Sequence, residues 1–130
     1  MIKKQITEIR NRDSLTERII ACAYKVHSEL GPGFNEGIYH NALKIALEDQ
    51  RLKYQTEKNL NVLFHGQDIG RLRLDLIIED KVIVEIKALT GSIPTVFELQ
   101  VLSYLKASGH KIGLLINFGN KSCQIRRLMV

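Results

Sequence analysis

The sequence predicts an α/β (α+β) fold in which a central mixed β-sheet is flanked by helices, within a single domain spanning residues 1–130. Three observations predict it. Apolar residues recur at helical spacing up to about residue 52, switch to alternating and β-rich patterns over residues 54–88, and return to a helical pattern at 95–108. The run Val82-Ile83-Val84-Glu85-Ile86-Lys87-Ala88 is a short, dense β run. The composition, 45% hydrophobic and 25% charged, is that of an ordinary folded domain and excludes wholesale disorder.

Each element follows from local signals. Residues 14–30 read as the first helix, with Ser14 and Glu17 as a capping box and Leu15, Ile19, Ala23, Val26 and Leu30 on one stripe. Gly31-Pro32-Gly33 ends it. A second helix is expected from Glu36 or Gly37 to Leu52, with Tyr39, Leu43, Ala46 and Leu47 inward. Residues 54–64 and 68–78 read as strands joined by a turn at Gly66, and 82–88 as a third strand. Pro94 opens a helix over 95–108 that stops at Gly109. Strands at 111–117 and 122–129 complete the order α-α-β-β-β-α-β-β.

The 19 Lys and Arg against 14 Asp and Glu give a formal charge of +5, which favours polyanionic partners, nucleic acid above all. No apolar run is long enough to cross a membrane, and Met1-Ile2-Lys3-Lys4 is not followed by the apolar segment of a secretory signal. Cys22 and Cys123, far apart and outside any Cys-x-x-Cys pattern, read as reduced thiols, so the expected location is cytoplasmic.

The chemistry is concentrated in residues 71–87, Arg-Leu-Arg-Leu-Asp-Leu-Ile-Ile-Glu-Asp-Lys-Val-Ile-Val-Glu-Ile-Lys. Strand alternation puts Glu85 and Lys87 on one side with Ile83, and Val82, Val84 and Ile86 on the other. On the preceding strand it puts Leu72, Leu74, Leu76 and Ile78 on one face and Arg71, Arg73 and Asp75 on the opposite one. Asp75 faces Glu85 if the hairpin closes through a three-residue loop, Glu79-Asp80-Lys81. Two carboxylates so placed need a cation, and Mg²⁺, or Mn²⁺ in its place, is the hard divalent ion that suits oxygen ligands. Such an ion can activate water and stabilise a phosphodiester transition state, with Lys87 orienting the water or meeting the developing charge. Read alone, Glu85-x-Lys87 is a weak signal, more often a solvated ion-pair face on a strand than a catalytic pair.

Asp75, Glu85-x-Lys87 and a following helix with Gln100 and Tyr104 resemble the P-D-(D/E)-x-K nuclease superfamily. The similarity is closer to its GxxExxY family, whose motif stands here as Gly33-Phe34-Asn35-Glu36-Gly37-Ile38-Tyr39. Further counterparts are Arg73-Leu74-Asp75-Leu76, Val84-Glu85-Ile86-Lys87, Gln100 to Leu105 and Gly113 to Gly119, so the resemblance covers roughly residues 14–128. It implies a restriction-endonuclease-like core and metal-dependent hydrolysis of nucleic-acid phosphodiesters, with DNA the expected substrate.

Carried over residue by residue, the resemblance makes Asp75 and Glu85 metal ligands together with the Ile86 carbonyl, and Lys87 the catalytic lysine. It adds Glu36 as a carboxylate near the same ion and Gln100 as the group orienting the lysine or a phosphate. Leu74 stands where the superfamily motif names proline. Simpler roles remain open: Glu36 at a helix N-terminus, Gly33 for a positive φ, Tyr39 and Tyr104 as core aromatics and Gln100 as a satisfied polar group.

Arg71 and Arg73 are expected to contact nucleic-acid phosphates, without base-specific reading. Competing functions are a non-catalytic nucleic-acid-binding or structural module that retains the nuclease fold, and an enzyme for another phosphate ester. A chain of this size holds one such site, so cutting both strands calls for a homodimer or two encounters.

Overall fold

A computed structural model describes the backbone of residues 2–130 and the side chains from Ser14 onward. The elements are α1 (Ile2–Leu30), α2 (Glu36–Asp49), β1 (Tyr54–Phe64), β2 (Gln67–Ile78), β3 (Val82–Lys87), α3 (Thr95–Ser108), β4 (Ile112–Asn117) and β5 (Gln124–Met129), in the order expected from periodicity. The strands form one sheet in the order β1-β2-β3-β4-β5. Neighbours are antiparallel except β3 and β4, which are parallel and connected through α3.

The sheet has two covered faces. Ile19, Ala23 and Val26 of α1 and Tyr39, Leu43 and Leu47 of α2 pack against Leu76, Ile78, Val82, Val84, Ile86, Leu114 and Ile116. On the other face Tyr104 and Leu105 of α3 meet Leu74, Ile77 and Ile83. The sheet is thus the middle layer of three, and β3 is buried on both sides, as its near-continuous apolar sequence requires.

Two boundaries differ from the sequence reading. α1 begins at Ile2, so Ser14 lies inside a helix and its capping box starts nothing. Residues 2–13 contain neither glycine nor proline and are rich in Lys, Gln, Glu and Arg, so no local signal breaks the helix before Ser14. α2 ends at Asp49 rather than at Leu52. Arg51 adopts a left-handed φ of 56°, its N–H donates to the Glu48 carbonyl at 2.9 Å, and the Leu52 N–H donates to the Leu47 carbonyl at 3.0 Å. This is a Schellman end with arginine in the place glycine usually takes, and Leu52 then drops into the core beside Leu47.

A third correction concerns β2. Leu72, Leu74, Leu76 and Ile78 do not share a face: Leu74 lies with Ile77 on the α3 side and Leu72 packs there too, while Leu76 and Ile78 lie on the α1/α2 side. The alternation slips where the β1–β2 ladder skips one rung, between Thr56↔Leu76 and Lys58↔Leu74. The skipped pair is Glu57 and Asp75, and Glu57 has a left-handed φ of 52°. Both strands therefore kink at the level of Asp75.

The chain beyond β3 is fixed by side-chain amides. Asn117 is fully buried; its Oδ1 accepts from the Leu89 N–H at 2.7 Å and its Nδ2 donates to the Leu89 carbonyl at 2.9 Å. Asn120 makes the same pair of bonds with Gly91, both at 2.8 Å. Gly119 lets these segments approach, since a Cβ there would lie 2.2 Å from the Leu89 carbonyl oxygen. Gly119→Ala is therefore expected to destabilise the fold by about 1–3 kcal/mol, read as a lower urea midpoint at unchanged m-value.

Candidate active site

The β2–β3 ladder runs from Ile78↔Val82 to Leu76↔Val84 and closes through Glu79, Asp80 and Lys81. Continuing that register puts Asp75 level with Glu85, but the kink carries the Asp75 backbone out of the ladder. Its side chain fills the gap: Oδ2 accepts a hydrogen bond from the Ile86 N–H at 3.2 Å. A bond usually made by a backbone carbonyl is made here by a carboxylate, which holds the Asp75 side chain against β3.

Glu85 comes from β3 and is only 6% exposed. One oxygen, Oε1, lies 3.8 Å from the Lys87 Nζ; the other, Oε2, is buried with no hydrogen-bond partner. Lys87 extends along the same side of the strand, and its ammonium sits 4.3 Å from the centre of the Phe97 ring on α3.

Glu36 arrives from the opposite layer as the first residue of α2. Asn35 caps that helix, accepting from the Ile38 N–H at 3.1 Å. The preceding loop is tied down by Tyr39, whose hydroxyl donates to the Gly31 carbonyl at 2.6 Å and accepts from the Phe34 N–H at 3.2 Å. Gly33 takes a φ of 111° in that loop. The three spaced residues Gly33, Glu36 and Tyr39 therefore act together: glycine turns the chain, tyrosine anchors it, and glutamate opens the helix over the sheet. His40, one turn after Glu36, places its Nε2 3.4 Å from the Asp75 carbonyl oxygen.

These groups line an open depression of about 420 Å³ that includes Glu36, His40, Asp75, Glu85 and Lys87. Its electrostatics follow from burial of like charges. Burial, reinforced by Asp75 and opposed by Lys87, pushes the Glu85 carboxyl up to about 8. Burial also raises the Glu36 carboxyl, with Lys87 opposing and Asp75 adding to the shift. The Tyr104 hydroxyl rises to about 12, through burial first and then the carboxylates of Glu85 and Asp75.

The orphaned Glu85 Oε2, beside a second carboxylate, fits a hard cation with oxygen ligands, which would supply the missing partner. Glu85 and Asp75 are the residues able to hold it, with Glu36 within electrostatic reach of Asp75. Among the described residues no group of three or more His, Cys, Asp or Glu side chains is placed to hold a metal ion.

Of the residues singled out from sequence, Asp75, Glu85, Lys87 and Glu36 converge. Tyr104 is buried close to the two β-strand carboxylates. Arg73 lines the depression, but its guanidinium is 2.8 Å from Glu57. Arg71 is exposed and lies outside the lining, further along β2. Gln100 is exposed on α3, also outside the lining. The sequence reading missed His40, Phe97 and Glu57. His40 carried a signal, since four residues after Glu36 it must share a helix face with it. Phe97 carried none, because its contact depends on how α3 lies across the sheet.

A model of the PD-(D/E)XK nuclease superfamily matches residues 13–128. The chain belongs to that superfamily. Among solved structures, this PD-(D/E)XK chain resembles one described as the crystal structure of SSO0001, with a TM-score of 0.58 and 20% sequence identity over 93% of the chain. The chain spans 61% of that protein's length. No curated protein matches it. The PD-(D/E)XK assignment and the shared fold agree with the mixed sheet and its three helices.

The buried carboxyl predicts a pH dependence in metal-free protein. Glu85 titrates near 8 when folded and near its ordinary 4.5 when unfolded. The contribution of its proton to stability is therefore complete below about pH 4.5 and is lost as pH rises to about 8. The melting temperature in EDTA should fall between pH 5 and pH 8, and Glu85→Gln should flatten that fall, both measurable by differential scanning calorimetry.

Proposed function

We propose that this superfamily member is a single-domain, divalent-metal-dependent nuclease of the GxxExxY branch that hydrolyses phosphodiester bonds, with DNA as its substrate and Mg²⁺ or Mn²⁺ as its cofactor. The observation that carries the reading is the buried, unpartnered Oε2 of Glu85, adjacent to Asp75 and on the same strand face as Lys87. An ionised carboxylate in the protein interior with one oxygen unsatisfied is unfavourable; Glu85 relieves this by holding a proton, and a bound cation would take that proton's place. The ordered Gly33–Tyr39 loop, which delivers Glu36 to the same depression, supports the branch assignment.

In this reading the ion, when bound, supplies Lewis acidity and a more acidic water. The residues do the rest. Asp75 and Glu85 fix the cation, and the hydrogen bond from Ile86 to Asp75 holds that ligand in place. Lys87, steadied by Phe97, orients the attacking water and meets the charge that develops on the phosphate. Glu36, with its proton affinity raised by burial, accepts a proton from the water side of the depression. Arg71 and Arg73 contribute sequence-independent phosphate contacts.

Purified protein with Mg²⁺ or Mn²⁺ should nick plasmid DNA, and Lys87→Ala should reduce the rate at least about a hundredfold at a temperature where circular dichroism shows the variant still folded. Binding of DNA without cleavage in either metal would replace the enzyme by a non-catalytic module. Mn²⁺ should also raise the melting temperature more at pH 8 than at pH 6, because binding requires the ionised Glu85, and Glu85→Gln should remove that increment.

A further inference from the structure

The β1–β2 hairpin continues well beyond the site. From Asp75 to Gln67 it runs eight residues along β2, a reach of at most about 27 Å at roughly 3.4 Å per residue. Beyond Leu60 and Leu72, which still pack on the α3 side, it leaves both cores, and residues 63–70 are exposed throughout. This tip is apolar where water-exposed turns are ordinarily polar: Leu63, Phe64 and Ile69 are 63%, 61% and 63% exposed. His65 and Gly66 form its turn with φ of 50° and 75°, and the Phe64 and His65 rings stack at 4.1 Å with an interplanar angle of 14°.

We propose that this tip, through the Phe64–His65 stack with Leu63 and Ile69 beside it, docks unpaired bases of a nucleic-acid strand, so that the substrate class is nucleic acid carrying a single-stranded segment. A flat aromatic pair with a free face suits bases of any sequence, because every base offers a π-face. Between tip and depression the ribbon bears Arg71 and Arg73 on one face, Arg73 already paired with Glu57, so Arg71 is the cation placed to meet a backbone phosphate of a strand lying along that face. Pairing with a second copy through the β1 edge is disfavoured locally, since the ladder shifts register at Val62/Leu63 and the edge twists away there. The inference rests on the nuclease reading for its substrate, but its test does not need cleavage.

The chain has no tryptophan, so Phe64→Trp gives a single reporter. In EDTA, a single-stranded DNA of about twenty nucleotides should quench its fluorescence, and a blunt duplex of the same length should not. Phe64→Ala should weaken single-strand binding about tenfold by fluorescence anisotropy of a labelled oligonucleotide and leave duplex affinity within about twofold. Ile69→Ala, also at an exposed position, should weaken it in the same direction. The proposal is overturned if Phe64→Ala binds single strands as the wild type does, or if duplex quenches the reporter equally. It is overturned too if sedimentation shows a wild-type dimer that Phe64→Ala dissociates with nucleic-acid affinity unchanged. Cleavage with intact single-strand affinity in Phe64→Ala sinks the tip alone; quenching without cleavage in metal sinks the hydrolytic reading alone.

Discussion

A carboxylate in the interior of a sheet covered on both faces is the constraint around which the rest is arranged. Glu85 is flanked along β3 by Val84 and Ile86, both fully buried. Water cannot reach it well enough to solvate its charge, and the protein supplies only a partial substitute in Lys87. A glutamine in the same place would carry no charge to desolvate, so this cost is specific to the acid. The neighbouring groups set its balance: Asp75 adds negative charge, Lys87 beside Phe97 opposes it, and α2 brings a third acid over the edge.

The kink in β1 and β2 makes this arrangement compatible with the sheet. A regular antiparallel ladder would have satisfied Ile86 with a backbone carbonyl and left the Asp75 side chain to follow simple alternation. By skipping the Glu57–Asp75 rung, the strands free Asp75 to bond to β3 through its carboxylate and turn Leu72 and Leu74 toward α3. One local irregularity thus both shapes the site and divides the apolar residues between two cores.

Much of this was legible in the sequence, and the failures have physical reasons. The order of elements and the common side of Ile83, Glu85 and Lys87 follow from periodicity, whereas the three-residue β2–β3 loop was one of two lengths the sequence allowed. The slip in β2 was not legible, because it lies opposite a left-handed Glu57 on a different strand, and glutamate gives no local warning of that conformation. The end of α2 was missed for a similar reason, with Arg51 doing what glycine usually does. Glu36 and Tyr39 were found through their motif spacing, whereas nothing in the sequence marked the clamp made by Asn117, since its partner Leu89 is distant in sequence. Gln100 shows the limit of transfer by pattern: helix phase put it beside Tyr104, yet only Tyr104 is buried near the acids.

The parallel pairing of β3 with β4 has a consequence for how the molecule is made. The β2–β3 hairpin joins residues close in the chain and closes over a short loop, so it can form early and by itself. Val82 meets Ile112 only after the whole of α3 has crossed the sheet, and the loop-closure entropy of that step is larger. Until then β3 is an unprotected margin with its acid in water, where it ionises freely. Glu85 therefore loses its water only when α3 and β4 close over β3, not when the β2–β3 hairpin pairs.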